Sequence, residues 1–119
     1  MKRFIFSLEK VLELRSFRER EAEIELARCI GALAVIENNI METAKKRVDA
    51  ASMRFQKGMK MADIVSIDFY IIRLDKLKDQ LLEDAAKAKL FVEEAREKYI
   101  EASREKKVIE KLKERKLKE

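Results

Sequence analysis

The side chains in this sequence best equipped to do chemistry are cations. Residues 104–119, REKKVIEKLKERKLKE, hold eight Lys or Arg against four Glu, a local charge of +4 within a chain total of +5. Fixed positive charge at that density attracts acidic surfaces and speeds encounter with them. Other chemistry has little to work with. There is no His, one cysteine (Cys29), no Gly-rich phosphate loop and no carboxylate pair that the sequence sets on a concave surface. Catalytic, cofactor-binding and metal-binding residues are therefore assigned to none, and an enzyme is the least expected class. Cys29 has no partner for an internal disulfide, which points to a reducing compartment. It falls on an apolar helix stripe, where a buried, inert thiol is expected.

The elements that position these cations read as helices. The chain has 119 residues, no Pro, two Gly, 43% charged residues and 47% hydrophobic residues, a composition of long helix or coiled coil rather than of a thick core or of disorder. The longest apolar stretch, CIGALAVI, is too short to span a bilayer, and MKRFIFSLEK breaks its apolar run too early for a secretory signal. A cytoplasmic protein is expected.

In the first half, Leu26, Cys29, Leu33, Ile36, Ile40, Ala44, Val48, Ala51 and Phe55 recur three or four apart and predict one helix stripe. In the second half, Ile67, Leu74, Leu81, Ala88, Ala95, Ala102 and Ile109 repeat every seven, interleaved with Ile64, Ile71, Ala85, Val92 and Tyr99, an a/d seam of the heptad abcdefg. Ser7 and Ser66 (or Asp63) suit helix N-caps, and Gly58 suits a left-handed C-cap. The expected fold is all-α, a long two-helix antiparallel coiled-coil hairpin forming a single domain over 1–119. Helix one covers about 7–57, the turn about 58–63 and helix two about 64–116. Pairs four apart, Glu42 with Lys46, Glu83 with Lys87, Glu94 with Lys98 and Glu114 with Lys118, are expected to support the helices. Gly31 costs helix stability, and close approach of the second helix is one reason to tolerate it.

In such a hairpin, facing residue numbers add to about 122, which sets 104–119 beside the basic N-terminal segment carrying Lys2, Arg3, Lys10, Arg15, Arg18 and Arg20. Lys106 and Lys113 occupy a positions there, so like charges are expected to leave this end splayed. A basic, apolar and underpacked end suggests insertion into an acidic partner. At the turn, Met53, Met59 and Met61 cluster, and Phe69 and Ile72 fall at f and b positions outside the seam, a candidate apolar docking patch.

The stretch from Phe4 to Arg15, F-x-F-x-L-E-K-V-L-E-L-R, the hairpin length and the closing E-K-K-V-I-E-K-L-K-E-R-K from Glu105 to Lys116 together resemble the flagellar FliJ family of type III export proteins. The resemblance implies a noncatalytic export component with the fold of the two-helix stalk of rotary ATPases, similar to the gamma subunit. It implies binding to the hexameric flagellar export ATPase, promotion of its assembly and activity, and links to the export gate protein FlhA and to export chaperones. It also implies a cytoplasmic location at the inner face of the cell membrane, reached through the export apparatus. On that reading Arg15, Arg18, Lys107, Lys111 and Arg115 face the ATPase ring, and Met61, Phe69 and Ile72 form the gate contact.

Two other classes compete. A coiled coil binding nucleic acid would use the same cations, but interspersed Glu dilute the field and no aromatic residue lies in 104–119 for base stacking, so no nucleic acid is expected. An anionic membrane surface would need a deeper apolar face than Val108, Ile109, Leu112 and Leu117 supply, so no direct membrane insertion is expected.

Overall fold

The computed structural model describes residues 2–119. Two α-helices account for almost all of them, α1 (Lys2–Met53) and α2 (Met61–Lys118), and no strand occurs among the described residues. The fold is an all-α helical hairpin, as the two periodic stretches predict.

The helices begin and end where backbone bonds are satisfied rather than at the expected caps. Ser7 lies inside α1 and its hydroxyl donates to the Arg3 carbonyl at 3.1 Å, so it caps nothing. Ser66 and Asp63 likewise lie inside α2, whose first turn is closed by the Lys60 carbonyl accepting from the amides of Asp63 (3.0 Å) and Ile64 (3.1 Å). Asp63 serves that terminus as a first-turn acid, while Arg115, Lys116 and Lys118 sit in the last turn, both favourable to the helix dipole. Helix α1 stops at Met53, ahead of the predicted 57, because its last turn tightens, with Phe55 N–H donating to Ser52 O and Gln56 N–H to Met53 O. Gly58 does take the left-handed conformation, at φ 83°, but within the connecting turn rather than directly after the helix.

The chain divides into two compact units, a terminal unit of Met1–Ile30 with Leu90–Glu119 and a turn unit of Gly31–Lys89. In the terminal unit, Leu8, Cys29, Val92 and Ala95 are buried. In the turn unit the buried residues are Thr43, Ala50, Leu74, Ala85 and Ala88. Among the described residues no large side chain is fully buried, as follows when only two helices share a seam and half of its buried apolar residues are alanine.

Within each unit the antiparallel register follows the sequence arithmetic. Residue numbers add to 122 for Glu9 with Lys113 and Glu19 with Ser103 in the terminal unit, and for Arg47 with Asp75 and Arg54 with Asp68 in the turn unit. The seam of α1 is a strict heptad, with Ile5, Leu12, Glu19, Leu26, Leu33, Ile40 and Arg47 at a and Leu8, Arg15, Ala22, Cys29, Ile36, Thr43 and Ala50 at d. The expected stripe departs from it after Ile40. The seam continues through Thr43 and Ala50, whereas Val48 and Phe55 are 65% and 79% exposed. A step of four repeated twice, from 40 to 44 to 48, carries a stripe off the contact face, which needs three and four in alternation. Thr43 is tolerated in the seam because its hydroxyl donates to the Asn39 carbonyl at 2.8 Å.

Gly31 has nothing within 4 Å of where a Cβ would stand, so close approach of the second helix does not explain it. Nor do the expected Glu-to-Lys pairs form. Among the described residues, ion pairs within α1 and α2 join Lys10 with Glu13, Arg28 with Glu25 and Lys106 with Glu110 instead. Exposed pairs of this kind are interchangeable, because each is worth little against the freedom of its side chains.

Candidate functional site

The basic surface belongs to the terminal unit, and its seam is not splayed by repulsion. Lys106 reaches Glu19 at 3.2 Å and Glu110 at 3.8 Å, Lys113 reaches Glu9 at 3.5 Å, and Arg15 reaches Glu105 at 3.0 Å. Cations that would repel one another across the seam are each matched by a carboxylate from the facing helix. Glu19 sits at the centre of this arrangement, its side chain 19% exposed, accepting from the Ser103 hydroxyl at 2.6 Å as well as from Lys106. Those hydrogen bonds, Ser103 first and Lys106 second, hold its carboxyl below the usual glutamate range. Leu8 is 6% exposed in the same region, so apolar packing persists between the charged layers.

Of the five cations expected to meet a partner, Arg15 is largely committed to this internal network, with 29% of its side chain exposed and its guanidinium on Glu105. Arg18, Lys107, Lys111 and Arg115 are exposed. They do not form one patch. Arg18 and Arg115, at g and c positions, share one flank of the unit, Lys107 at b lies on the other flank, and Lys111 at f faces outward from α2. The unit thus presents positive charge on several sides. Exposed aromatics accompany it, with Lys116 stacked 5.6 Å over the Phe4 ring and Lys10 5.4 Å over Phe6. The sequence reading overlooked Glu9, Glu19 and Glu105. The signal for them was present, since the register that sums to 122 already sets Glu9 opposite Lys113 and Glu19 opposite Ser103.

The turn unit carries the second candidate surface. Met61, Phe69 and Ile72 are 73%, 63% and 49% exposed, so all three are available to a partner. Phe69 and Ile72 lie on adjacent faces of α2, at f and b, and Met61 opens the helix. On the g flank of this unit a groove of about 430 Å³ runs between the helices, with Met53, Ile67 and Tyr70 as its apolar lining and Lys46 and Asp49 at its rim. Sequence reasoning missed this groove because its lining comes half from each helix. The ion pairs Arg47 to Asp75 at 2.7 Å and Arg54 to Asp68 at 2.9 Å close the opposite flank.

Among the described residues no helix is long and apolar enough to cross a membrane. A protein-family model described as Flagellar FliJ protein matches residues 4–119 of the chain. No curated protein and no solved structure matches it.

Proposed function

This chain belongs to the FliJ family of flagellar proteins, and from that premise we propose that it is a noncatalytic central stalk and coupling factor of the flagellar export ATPase. Family membership makes it a component of flagellum biogenesis and protein export. In the proposed role the terminal unit sits inside the hexameric ATPase ring, promotes assembly and activity of the ring, and biases its subunits in turn. The turn unit meets the export gate protein FlhA and the export chaperones. The protein then works in the cytoplasm, held at the inner face of the cell membrane by the apparatus it serves.

One observation carries the reading: Arg18, Lys107, Lys111 and Arg115 are exposed on several sides of the terminal unit rather than gathered on one. A partner that docks on a face needs charge on that face. A ring that surrounds its ligand meets all sides, and scattered cations suit an acidic lining approached from any rotation. The internally paired Arg15, Lys106 and Lys113 keep the two helices together under that field, so the unit is supported as a preformed body rather than a frayed one. On the turn unit, exposed Met61, Phe69 and Ile72 supply the apolar area that a gate contact requires.

The test is ATP hydrolysis by the cognate export ATPase with and without this protein, at low and high salt. The comparison variant carries Arg18→Glu, Lys107→Glu, Lys111→Glu and Arg115→Glu, all exposed positions, so that helix content is retained. The native chain is expected to raise the rate, less so at high salt, and the variant to lose the effect. A folded variant that stimulates as well as the native chain would refute the ring contact.

A further inference from the structure

At one end of the terminal unit the first turns of α1 lie beside the last turns of α2, and the register sets their exposed apolar side chains at one level. Facing numbers that add to 122 place Leu117 level with Ile5, so Phe4, Phe6 and Leu117 fall within about 3 Å of one another along the helix axes. They are 44%, 60% and 60% exposed. Phe6 and Leu117, at b of α1 and e of α2, share one flank, and Phe4, at g of α1, takes the other. The apolar groups thus encircle the end of the unit instead of forming a stripe.

The same level is strongly basic. Residues 2–10 and 113–119 hold seven Lys or Arg against three Glu, a local charge of +4 in a chain of +5. Two of those glutamates are already engaged, Glu9 by Lys113 at 3.5 Å and Glu119 by Lys116 at 3.3 Å. Among the described residues Lys2, Arg3, Arg115 and Lys118 make no ion pair, and all four are exposed. Lys116 and Lys10 stand over the Phe4 and Phe6 rings, so cations and apolar groups share the same few ångströms of surface.

We propose that this end adsorbs on a bilayer carrying anionic phospholipid, entering end-on with Phe4, Phe6 and Leu117 at the boundary of headgroups and acyl chains and the cations among the phosphates. Val108, Ile109, Leu112 and Leu117 alone give α2 too shallow an apolar face, and Phe4 and Phe6 of α1 supply the missing depth. Charge complementarity selects an anionic occupant, and the encircling arrangement selects a fluid one. A folded partner docked on one flank leaves the apolar groups of the other in water, whereas a bilayer entered end-on meets both. Long Lys and Arg stems keep their charges in the headgroup layer while the rings go about 5–10 Å deep. Single-stranded nucleic acid fits less well, because Leu117 has no π-face for a base and lysines already cover the two Phe rings. The apolar level lies nearer the end of the unit than Arg18, Lys107 and Lys111, so this contact is separate from the one proposed with the ATPase ring.

The test is co-sedimentation of the full chain, without the ATPase, with vesicles of phosphatidylcholine alone or with about one third phosphatidylglycerol. Binding is expected only to the anionic vesicles and is expected to fall at high salt. Each cation near such a surface is worth about fivefold in binding, so Lys2→Glu, Arg3→Glu and Lys118→Glu together should weaken it at least about a hundredfold. Phe4→Ala, Phe6→Ala and Leu117→Ala together keep every charge and the helix content and should weaken it at least about tenfold. The chain has no Trp, so Phe6→Trp reports depth directly: its emission should shift to the blue on anionic vesicles, while that of Phe69→Trp in the turn unit should not. No binding to anionic vesicles at low salt, undiminished binding by the triple alanine variant, or an unshifted Phe6→Trp overturns the proposal. Binding to a single-stranded oligonucleotide but not to vesicles overturns it in favour of nucleic acid. The variants leave Arg18, Lys107, Lys111 and Arg115 in place, so failure here leaves the ATPase assay standing.

Discussion

Removing the Glu19 side chain tests whether the charged layers hold the terminal unit together. In Glu19→Ala the Ser103 hydroxyl loses its acceptor at 2.6 Å and Lys106 loses its partner at 3.2 Å, at a seam position with 19% exposure. A hydrogen bond to a charged group contributes about 1.5–3 kcal/mol when well buried. This site opens to solvent along one edge and Lys106 keeps Glu110 at 3.8 Å, so the expected loss is about 1–2 kcal/mol, roughly 5 °C in Tm for a chain of this size. Changing both partners, Glu19→Leu with Lys106→Leu, replaces a paired charge layer by an apolar one and should restore or exceed native stability, since a charge pair seldom outperforms hydrophobic packing of similar volume. The pH dependence follows from the same site. The folded carboxyl of Glu19 lies below its ordinary value of 4.5, so its stabilisation is complete above that value and is lost as pH falls through the lower folded one. Urea unfolding followed by circular dichroism should therefore give a midpoint that is flat from about pH 7 to 5 and falls below about 4.5, with a shallower fall in Glu19→Gln. A Glu19→Ala chain as stable as the native one, or a double leucine variant less stable than the single alanine variant, would refute the reasoning.

The two glycines are expected to respond oppositely. Gly31→Ala adds a methyl where nothing lies within 4 Å, in a helix interior, and should stabilise by about 1 kcal/mol in thermal unfolding; destabilisation would mean that a neighbour approaches more closely than the structure has it. Gly58→Ala forces a side chain into φ 83°, again with no neighbour within 4 Å, and should cost about 1–2 kcal/mol through backbone strain alone. An unchanged melting temperature for Gly58→Ala would indicate that the turn relaxes out of the left-handed region.

Much of the candidate site is legible in the sequence. The cations were countable, and the antiparallel register predicted that residues 104–119 would lie beside the N-terminal segment. What the register also contained, and charge counting obscured, was the pairing of Glu9 with Lys113 and of Glu19 with Ser103. Net charge sums over a segment, whereas stability depends on which atoms come within about 4 Å, and glutamates spaced among lysines can neutralise the seam while leaving the outer faces basic. The cap residues failed for a related reason. Ser7 and Ser66 are good caps, yet a helix extends past a good cap whenever the preceding residues gain backbone bonds and no Pro or Gly stops them.

By itself, the sequence determined the fold class, the antiparallel partnership and the register, because a heptad repeat with no Pro leaves long helices one way to bury a narrow apolar stripe. It also determined that positive charge collects where the chain termini meet. Tertiary structure decided which residues of α1 face α2 beyond Ile40, and so turned Val48 and Phe55 from core into surface. It decided too that Arg15 is tied to Glu105 while Arg18, Lys107, Lys111 and Arg115 remain free to meet a partner. Both outcomes depend on which way each side chain points about its helix axis. One residue of drift turns a side chain by about 100°, a difference that composition does not register and that only the packing of a second helix resolves.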